Sequence, residues 1–201
     1  IFVGGTGLYF EALLGGLSVI PDIDEAVRKK WRRLAENTRS ADLYELLKQK
    51  DPVSAAKLAI NDKMRMTRAL EVFEATGRPL SFWQEKKGKS LLAGEDIKKF
   101  LLMPEAALLR RLIAARFEQM LKEGAIEEVE KLLELQLSPN IAAMKVIGVK
   151  EIANYLRGEV DLQQATTLAI TRTCQYAKRQ RTWFRQRFTK DWQAVNMAPL
   201  L

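Results

Sequence analysis

The chain contains the stretch Ile1-Phe2-Val3-Gly4-Gly5-Thr6-Gly7-Leu8-Tyr9-Phe10-Glu11-Ala12-Leu13-Leu14, which decides the fold class. Apolar residues with β propensity precede a glycine-rich tetrapeptide, and residues with helical character follow it. A strand, a tight turn and a helix in this order are typical of α/β folds. We therefore predict a strand at residues 1–3 and a helix at residues 8–14.

The glycine turn, residues 4–7, places unshielded backbone N–H groups and the hydroxyl of Thr6 at a helix N-terminus. Such an arrangement binds anions, phosphates in particular. A plain connecting turn would account for the same residues, and both interpretations stay open at this point. Because a strand of three residues needs partner strands, we interpret the chain as a fragment whose further strands precede Ile1.

Most of the remaining pattern is helical, with caps that mark the helix ends. The predicted helices lie within 24–36, 41–49, 53–59, 63–75, a short stretch after Ser81, 105–123, 126–137 and 162–188. A linker rich in Lys, Gly and Ser is predicted at 86–96, and a second strand at 97–103. These elements predict a core at 1–20, a helical insertion domain at 21–95 and a second part of the core at 96–201.

Composition excludes several classes of protein. The longest uncharged stretches are too short to span a membrane, so we expect a soluble chain with no membrane partner. The single cysteine, Cys174, excludes an internal disulfide framework and a multi-thiolate metal site. The absence of histidine excludes imidazole ligands and histidine-based acid–base catalysis.

The excess of positive charge is concentrated near the C-terminus. The chain has 33 Lys and Arg against 25 Asp and Glu, yet residues 162–190 contain seven basic residues and no acidic one. Aromatic residues interleave with these cations: Tyr176, Trp183, Phe184, Phe188 and Trp192. Cations and flat rings together suit nucleic acid or phosphate. Alternatively, the rings form a core face and the cations are only solvated.

Two smaller basic clusters carry the same ambiguity. Arg65 and Arg68 lie three residues apart on one face of a predicted helix, where they suit phosphates or bases, although ion pairs with Glu71 or Glu74 would explain them equally well. Lys145 and Lys150 flank Gly148, whose lack of a side chain lets a backbone or a ligand come close. Lysines that cap helices would explain the same pattern about as well. The sequence Gly88-Lys89-Ser90 ends like a P-loop, but Trp83 occupies the position of the required upstream glycine, so this chain contains no P-loop there.

Taken together, the motifs resemble those of the tRNA dimethylallyltransferase family, also called tRNA isopentenyltransferases. The matching stretches are Val3-Gly4-Gly5-Thr6-Gly7-Leu8-Tyr9, Asn61-Asp62 with Arg65 and Arg68-Ala69-Leu70-Glu71-Val72, Thr76-Gly77-Arg78-Pro79-Leu80-Ser81, Ile147-Gly148 with Lys150-Glu151, and Ala177-Lys178-Arg179-Gln180 with Thr182-Trp183-Phe184. This resemblance spans essentially the whole chain, and several motifs in one order are far more specific than any single one.

The resemblance implies an α/β fold with a P-loop NTPase-like core, mostly helical in this fragment, and an inserted all-helical domain. The implied reaction moves a dimethylallyl group from dimethylallyl diphosphate to the exocyclic amine of the adenosine 3′ of the anticodon, with Mg²⁺. The implied partners are the tRNA anticodon stem-loop and dimethylallyl diphosphate, and we expect a cytoplasmic monomer. The family's P-loop, its base-activating aspartate and most of its Mg²⁺ site precede the glycine turn, so we expect this chain alone to be inactive.

The resemblance also implies roles for individual residues. Thr6 matches the family threonine near the diphosphate and the target base, and Arg28 matches a tRNA-contacting arginine. Two further tRNA-contacting segments match Met64, Arg65, Met66, Thr67 and Arg68, and Lys145, Val146, Ile147, Gly148, Val149 and Lys150. Val149 departs from the family, which usually has an aromatic residue there.

Two other functions fit part of the pattern. A non-catalytic helical RNA-binding module needs only the basic C-terminal helix. An adenylate isopentenyltransferase acts on a free nucleotide and has no need of a tRNA-gripping insertion, whereas residues 21–95 are long enough to form one.

Overall fold

The structure, a computed structural model, describes residues 1–86, 88–139, 141–188 and 191–195. Within these residues the chain is mostly helical, with one small sheet. The helices are α1 (Gly7–Gly15), α2 (Glu25–Asn37), α3 (Ser40–Lys50), α4 (Pro52–Ala55), α5 (Lys63–Thr76), α6 (Leu80–Glu85), α7 (Ala106–Lys122), α8 (Ala125–Glu134), a 3-10 turn at Ala143–Lys145, α9 (Val149–Leu156) and α10 (Leu162–Arg187). None of these helices is long and apolar enough to cross a membrane.

The sheet consists of β1 (Phe100–Leu102) and β2 (Gln193–Val195), which run parallel with Phe100 opposite Gln193. Strand β1 lies inside the predicted strand at 97–103, whereas β2 was not predicted. The predicted strand at residues 1–3 is wrong, since these residues are exposed and no described strand lies alongside to complete their backbone hydrogen bonds.

Contacts divide the chain into two compact units. The helical unit comprises Leu8–Glu95, and the mixed unit comprises Ile1–Gly7 with Asp96–Leu201. The first border therefore lies before Leu8 and not after residue 20. One reason is that Leu13 belongs with the linker, because its carbonyl accepts hydrogen bonds from the Leu91 N–H and the Ser90 hydroxyl, both at 3.2 Å.

Local signals place most helix ends in the helical unit. The Asp24 carboxylate caps α2 by accepting from the Ala26 N–H at 2.7 Å, and Asp62 caps α5 through the Arg65 N–H at 3.2 Å. Gly77 ends α5 in the left-handed conformation at φ 65°. The buried faces of α2, α3, α5 and neighbouring segments then form one core, whose fully buried side chains include Leu43, Leu47, Met66, Leu70 and Val72.

Two predicted caps and two predicted helix ends are wrong. One of these ends is that of α8, which stops at Glu134 and not at residue 137. Ser40 is already inside α3, where Arg39 holds the cap position without a side-chain bond. Ser81 lies inside α6, because its hydroxyl is engaged elsewhere by Asp51. Helix α4 stops at Ala55 instead of continuing to residue 59.

Asp51 is a fully buried carboxylate with four hydrogen-bond donors around it. Ser54 and Ser81 each contribute a backbone N–H at 3.0 Å and a hydroxyl at 2.7 Å. Burial by itself would raise the pKa of Asp51, but the hydrogen bonds outweigh it and hold the pKa below its ordinary value. The carboxylate thereby ties the start of α4 to α6.

Replacing Asp51 by alanine should destabilise the helical unit by about 3 kcal/mol, because buried donors lose a charged acceptor. Since the folded pKa is lowered, the stabilisation is complete above about pH 4 and is lost as the pH falls through the folded pKa. Urea unfolding at several pH values, followed by tryptophan fluorescence, measures this. Asp42→Ala, at an exposed carboxylate, is the control and should change little. A constant difference between wild type and Asp51→Ala down to pH 2 would contradict the assignment.

Two features organise the mixed unit. Its core is formed by buried residues of α7, α8, α9 and α10, among them Phe117, Val129, Ile152 and Ala169. Helix α10 begins at the predicted capping box, in which Asp161 accepts from the Gln164 N–H at 2.7 Å and Gln164 accepts in return from the Asp161 N–H at 3.2 Å. With 26 residues it is about 40 Å long at ~1.5 Å per residue.

Candidate functional site

The glycine turn presents an accessible hydroxyl. Residues 4–6 are exposed, and Thr6 immediately precedes α1. Within the described residues, the Thr6 hydroxyl has no hydrogen-bond partner. This donor and the neighbouring backbone N–H groups at the start of α1 are therefore available to an anionic ligand.

Two side chains of helix α10 contact this turn. The Gln180 side-chain amide donates to the Gly5 carbonyl at 2.8 Å. Three residues further along, the Trp183 ring lies so close to Gly7 that a Cβ there would overlap it, so only glycine fits. Sequence reasoning missed this support, because the partners are 175 residues apart and no local pattern connects them.

The aromatic residues of the basic segment mostly pack on one another. Trp183 contacts Phe184 and Phe188 edge to face, with ring centroids 5.5 and 5.2 Å apart, and Phe188 stacks on Trp192 at 4.3 Å. These four rings form a packed cluster and are not free platforms for bases. Tyr176 is exposed, and the Arg179 guanidinium lies 5.8 Å from its ring centre. Lys190 lies outside the described residues.

The segment 145–150 forms an irregular connection from the 3-10 turn into α9. Lys145, Val146 and Lys150 are exposed, whereas Val149 is buried in the core with Phe117. Gly148 has φ 106°, a conformation that favours glycine, and a Cβ there would lie 3.3 Å from the Phe117 ring. The lysines can therefore reach a ligand directly, while Val149 acts only through packing.

Glu151 fixes the shape of this connection. It is 2% exposed, and its Oε2 accepts from the Gly148 N–H at 2.9 Å. Its Oε1 accepts from the guanidinium of Arg172 on α10. The carboxylate thus connects the backbone of the lysine segment to α10. Glu151 belongs to one of the motifs that carry the family resemblance, but its sequence position alone indicated no role in the site.

The N-terminal half of α5 presents cations on its outer face and apolar side chains to the core. Met64 is 79% exposed, and Arg65 and Arg68 also reach solvent. Arg65 pairs with Asp62 at 3.3 Å and Arg68 with Glu71 at 3.4 Å. Two further residues of this segment, Met66 and Thr67, are buried, so they support the helix and do not present a surface to a ligand.

Helix α2 lies against α5 and is fixed to it by polar contacts. Lys30 donates to Glu74 at 2.8 Å, and Arg32 lies 3.6 Å from the buried carboxylate of Glu71. On the same helix, the Arg28 side chain has a buried Nε with no hydrogen-bond partner among the described residues. An unpaired buried donor is costly unless a ligand uses it.

A cavity of about 270 Å³ opens beside the cations of α5. Its lining includes Arg65, Arg68 and Lys57, with Leu58 and Leu80 as apolar walls. Sequence reasoning missed Lys57, which the chain reversal between α4 and α5 brings to this cavity. The helical unit thus collects Arg28 and residues 64–68 on adjacent helices, and the mixed unit holds Thr6 and residues 145–150.

Comparison with known proteins identifies the family of this chain. The model of the IPP transferase family matches residues 1–187. The chain belongs to the IPP transferase family. This confirms the resemblance inferred from the motifs. Among curated relatives, the tRNA dimethylallyltransferase of a Chelativorans species is 51% identical over 194 residues, and that of Bartonella henselae is 46% identical over 196 residues.

The chain spans about two thirds of the length of these relatives, namely 66% and 68%, while 96% and 98% of the chain itself is covered. Solved structures of the IPP transferase family show the same fold. A eukaryotic dimethylallyltransferase studied acting on tRNA matches with a TM-score of 0.70 and 25% identity, over 98% of this chain and 51% of that one. The tRNA isopentenylpyrophosphate transferase of Bacillus halodurans matches with 0.53 and 29%, over 97% and 59%.

Proposed function

We propose that this chain is the larger part of a tRNA dimethylallyltransferase. The enzyme transfers a dimethylallyl group from dimethylallyl diphosphate to the N6 amine of the adenosine 3′-adjacent to the anticodon. The observation that carries the proposal is the family match over residues 1–187, which includes the glycine turn, the basic face of α5 and the lysine segment before α9.

We further infer the finer architecture from this family membership. Residues of the mixed unit belong to a P-loop NTPase-like core, and the helical unit is the inserted tRNA-contacting domain. The phosphate-binding loop and the general base belong to the third of the relatives' length that this chain does not cover. A monomeric state and a cytoplasmic location stay predictions.

The proposed reaction is a nucleophilic displacement at an allylic carbon. The N6 nitrogen forms a bond with C1 of the dimethylallyl group, the bond from C1 to the diphosphate oxygen breaks, and the amine gives up a proton. Diphosphate leaves with the bonding electrons, so its developing charge needs donors and cations. In this proposal, the free hydroxyl of Thr6 donates to that charge. The exposed cations of α5 and Lys145 and Lys150 orient the RNA.

The resemblance also implies Mg²⁺, which favours carboxylate oxygens and substrate phosphates. Within the described residues, no group of three or more Asp, Glu, His or Cys side chains could hold a metal ion. We therefore infer that the ion's protein ligands belong mostly to the uncovered third of the enzyme, and we derive no step from the ion here.

Prenyl transfer by the full-length enzyme tests the proposal. Incubation with dimethylallyl diphosphate and an unmodified tRNA should yield prenylated adenosine in the nucleoside digest, together with one diphosphate per turnover. A tRNA with guanosine 3′ of the anticodon is the matched control and should give none. Product on AMP but not on tRNA would favour an adenylate isopentenyltransferase. Tight RNA binding without any diphosphate release would favour a non-catalytic RNA-binding module.

A further inference from the structure

A buried ion pair lies behind the lysine segment, residues 145–150, where α9 begins. Glu151 is the third residue of α9 and is 2% exposed, whereas Arg172 of α10 keeps 46% of its side chain in solvent. The two oxygens of the carboxylate have different partners: Oε2 accepts from the Gly148 N–H at 2.9 Å, and Oε1 accepts from the Arg172 guanidinium. Each oxygen therefore has its own task.

Gly148 is the residue of this segment whose backbone is least restricted by its own side chain. Glycine adopts positive φ about as readily as negative φ, yet here it is held at φ 106°. The bond from its N–H to Glu151 fixes one side of the turn, and the bond from the Val149 N–H to the Val146 carbonyl at 3.2 Å closes the other. This turn determines the direction in which the chain leaves Lys145 and enters α9.

Lys145 and Lys150 lie on either side of the turn, and both are exposed. Neither forms a salt bridge with any residue that the structure describes. Each ammonium group sits on a flexible four-carbon stem, so the direction from which it reaches a ligand depends on the backbone that carries it. Two cations on a fixed turn lose less conformational entropy on binding than two cations on a mobile one.

Stability alone does not explain a buried ion pair at this place. The cost of removing Glu151 from water offsets much of its attraction to Arg172, and apolar residues of similar volume are often as stable. A carboxylate that accepts from a backbone N–H and from a second helix does something that apolar residues do not: it fixes the geometry of the backbone.

We infer that Glu151 and Arg172 are positioning residues for tRNA binding. Together they hold the turn at Gly148 in the shape that presents Lys145 and Lys150 to the RNA. The two residues act through the lysines and do not contact the RNA themselves. This inference rests on the proposed tRNA substrate and deepens it, because it assigns a role to a buried side chain that no RNA can reach.

Replacing Glu151 by glutamine in the full-length enzyme separates positioning from general electrostatics. An amide has one acceptor oxygen where the carboxylate has two, so either Gly148 or Arg172 loses its acceptor. The change also removes a negative charge, which by itself would favour binding to RNA. We expect the opposite result, namely a dissociation constant for tRNA about 3- to 10-fold above that of wild type, as for other coupled contacts. Filter binding at a temperature where all variants are folded measures it.

Glu159→Gln is the matched control. It removes an exposed carboxylate of the same unit that likewise pairs with an arginine, Arg157, outside the lysine segment. Its tRNA affinity should equal that of wild type or be slightly higher, as expected for the loss of a negative charge. Glu151→Gln should fold, because the side chain left without its charged partner, Arg172, is half exposed and can be solvated.

A double-mutant cycle identifies the route by which the ion pair acts. Lys145→Gln with Lys150→Gln provides a background that lacks both cations. In this background Glu151→Gln and Arg172→Gln should each change tRNA affinity by less than about 2-fold, since their effect passes through the lysines. If Arg172→Gln weakens binding equally with and without the lysines, Arg172 contacts the RNA directly and the inference is overturned.

Two other results would also overturn it. A lower melting temperature of Glu151→Gln together with wild-type tRNA affinity would assign the ion pair to stability alone. Tighter binding by Glu151→Gln, as in the control, would assign its effect to net charge. The proposed function fails separately, because its failure would appear as absent prenyl transfer by the wild-type enzyme.

Discussion

Replacing Thr6 by alanine should slow prenyl transfer by a factor on the order of 10² or more, while tRNA affinity stays nearly unchanged. The hydroxyl is exposed and has no partner within the described residues, so its removal disturbs no internal contact. A single donor near the diphosphate acts on the charge that develops in the transition state, whereas RNA affinity depends on many contacts. Single-turnover rates at saturating tRNA measure the effect in the full-length enzyme.

Thr6→Ser is the matched control, because it keeps the hydroxyl and removes only a methyl group. Its rate should remain within a few-fold of wild type. If the alanine variant transfers the prenyl group at the wild-type rate, Thr6 has no part in the chemistry. If both variants lose tRNA binding instead, the turn serves the RNA and not the diphosphate.

Replacing Arg65 and Arg68 together by alanine should weaken tRNA binding and lower the magnitude of its salt slope by about 0.7 to 0.9 per lost phosphate contact. Both side chains reach solvent beside the cavity that Lys57 also lines. Their ion pairs with Asp62 and Glu71 leave them exposed, so the pairs hold the guanidiniums in place without withdrawing them from a ligand.

The control for this variant is Arg39→Ala with Lys48→Ala. Both are exposed cations of the helical unit with a carboxylate three residues away, and neither lines the cavity. If ion pairing were the only role of Arg65 and Arg68, their double variant would bind tRNA like this control. The loss of the Arg65–Asp62 pair would then cost only about 0.2 to 1 kcal/mol of stability, and the loss of the Arg68–Glu71 pair would cost more, because the Glu71 carboxylate is buried. Filter binding and urea unfolding on the same preparations separate the two outcomes.

Elements with local signals could be predicted from the sequence. Asp24 before α2, Asp62 and Gly77 around α5, and Asp161 with Gln164 before α10 act within a few residues of the helix ends they determine. Pairing between β1 and β2 could not be predicted, because it joins Phe100 to Gln193 and depends on the fold between them. The strand predicted at residues 1–3 was wrong for the same reason, because residues with β propensity form a strand only where a neighbouring strand completes their hydrogen bonds.

For the candidate site, too, some residues could be predicted from the sequence and others could not. The exposed cations Arg65, Arg68, Lys145 and Lys150 were visible from charge and spacing. Their supports were not, because the contact between Glu151 and Arg172 depends on tertiary packing. The motifs also did not show which of their residues are buried. Met66, Thr67 and Val149 have exposed neighbours in the sequence but are themselves buried in the core. A family motif therefore identifies a segment, and the fold decides which of its side chains can reach a ligand.

The support of the glycine turn by Gln180 and Trp183 has a consequence for biosynthesis. The hydrogen bond between Gln180 and Gly5 spans 175 residues, so it closes a very long loop and contributes to a high contact order. At ~5–20 residues per second, a ribosome needs on the order of 10 s to reach Gln180 after it has made Gly5. During that time the helical unit, whose core contacts lie within residues 8–95, can fold by itself. The glycine turn lacks its contacts until α10 is made. A partly synthesised chain can therefore form the helices that we propose contact RNA before the turn that we propose binds the diphosphate.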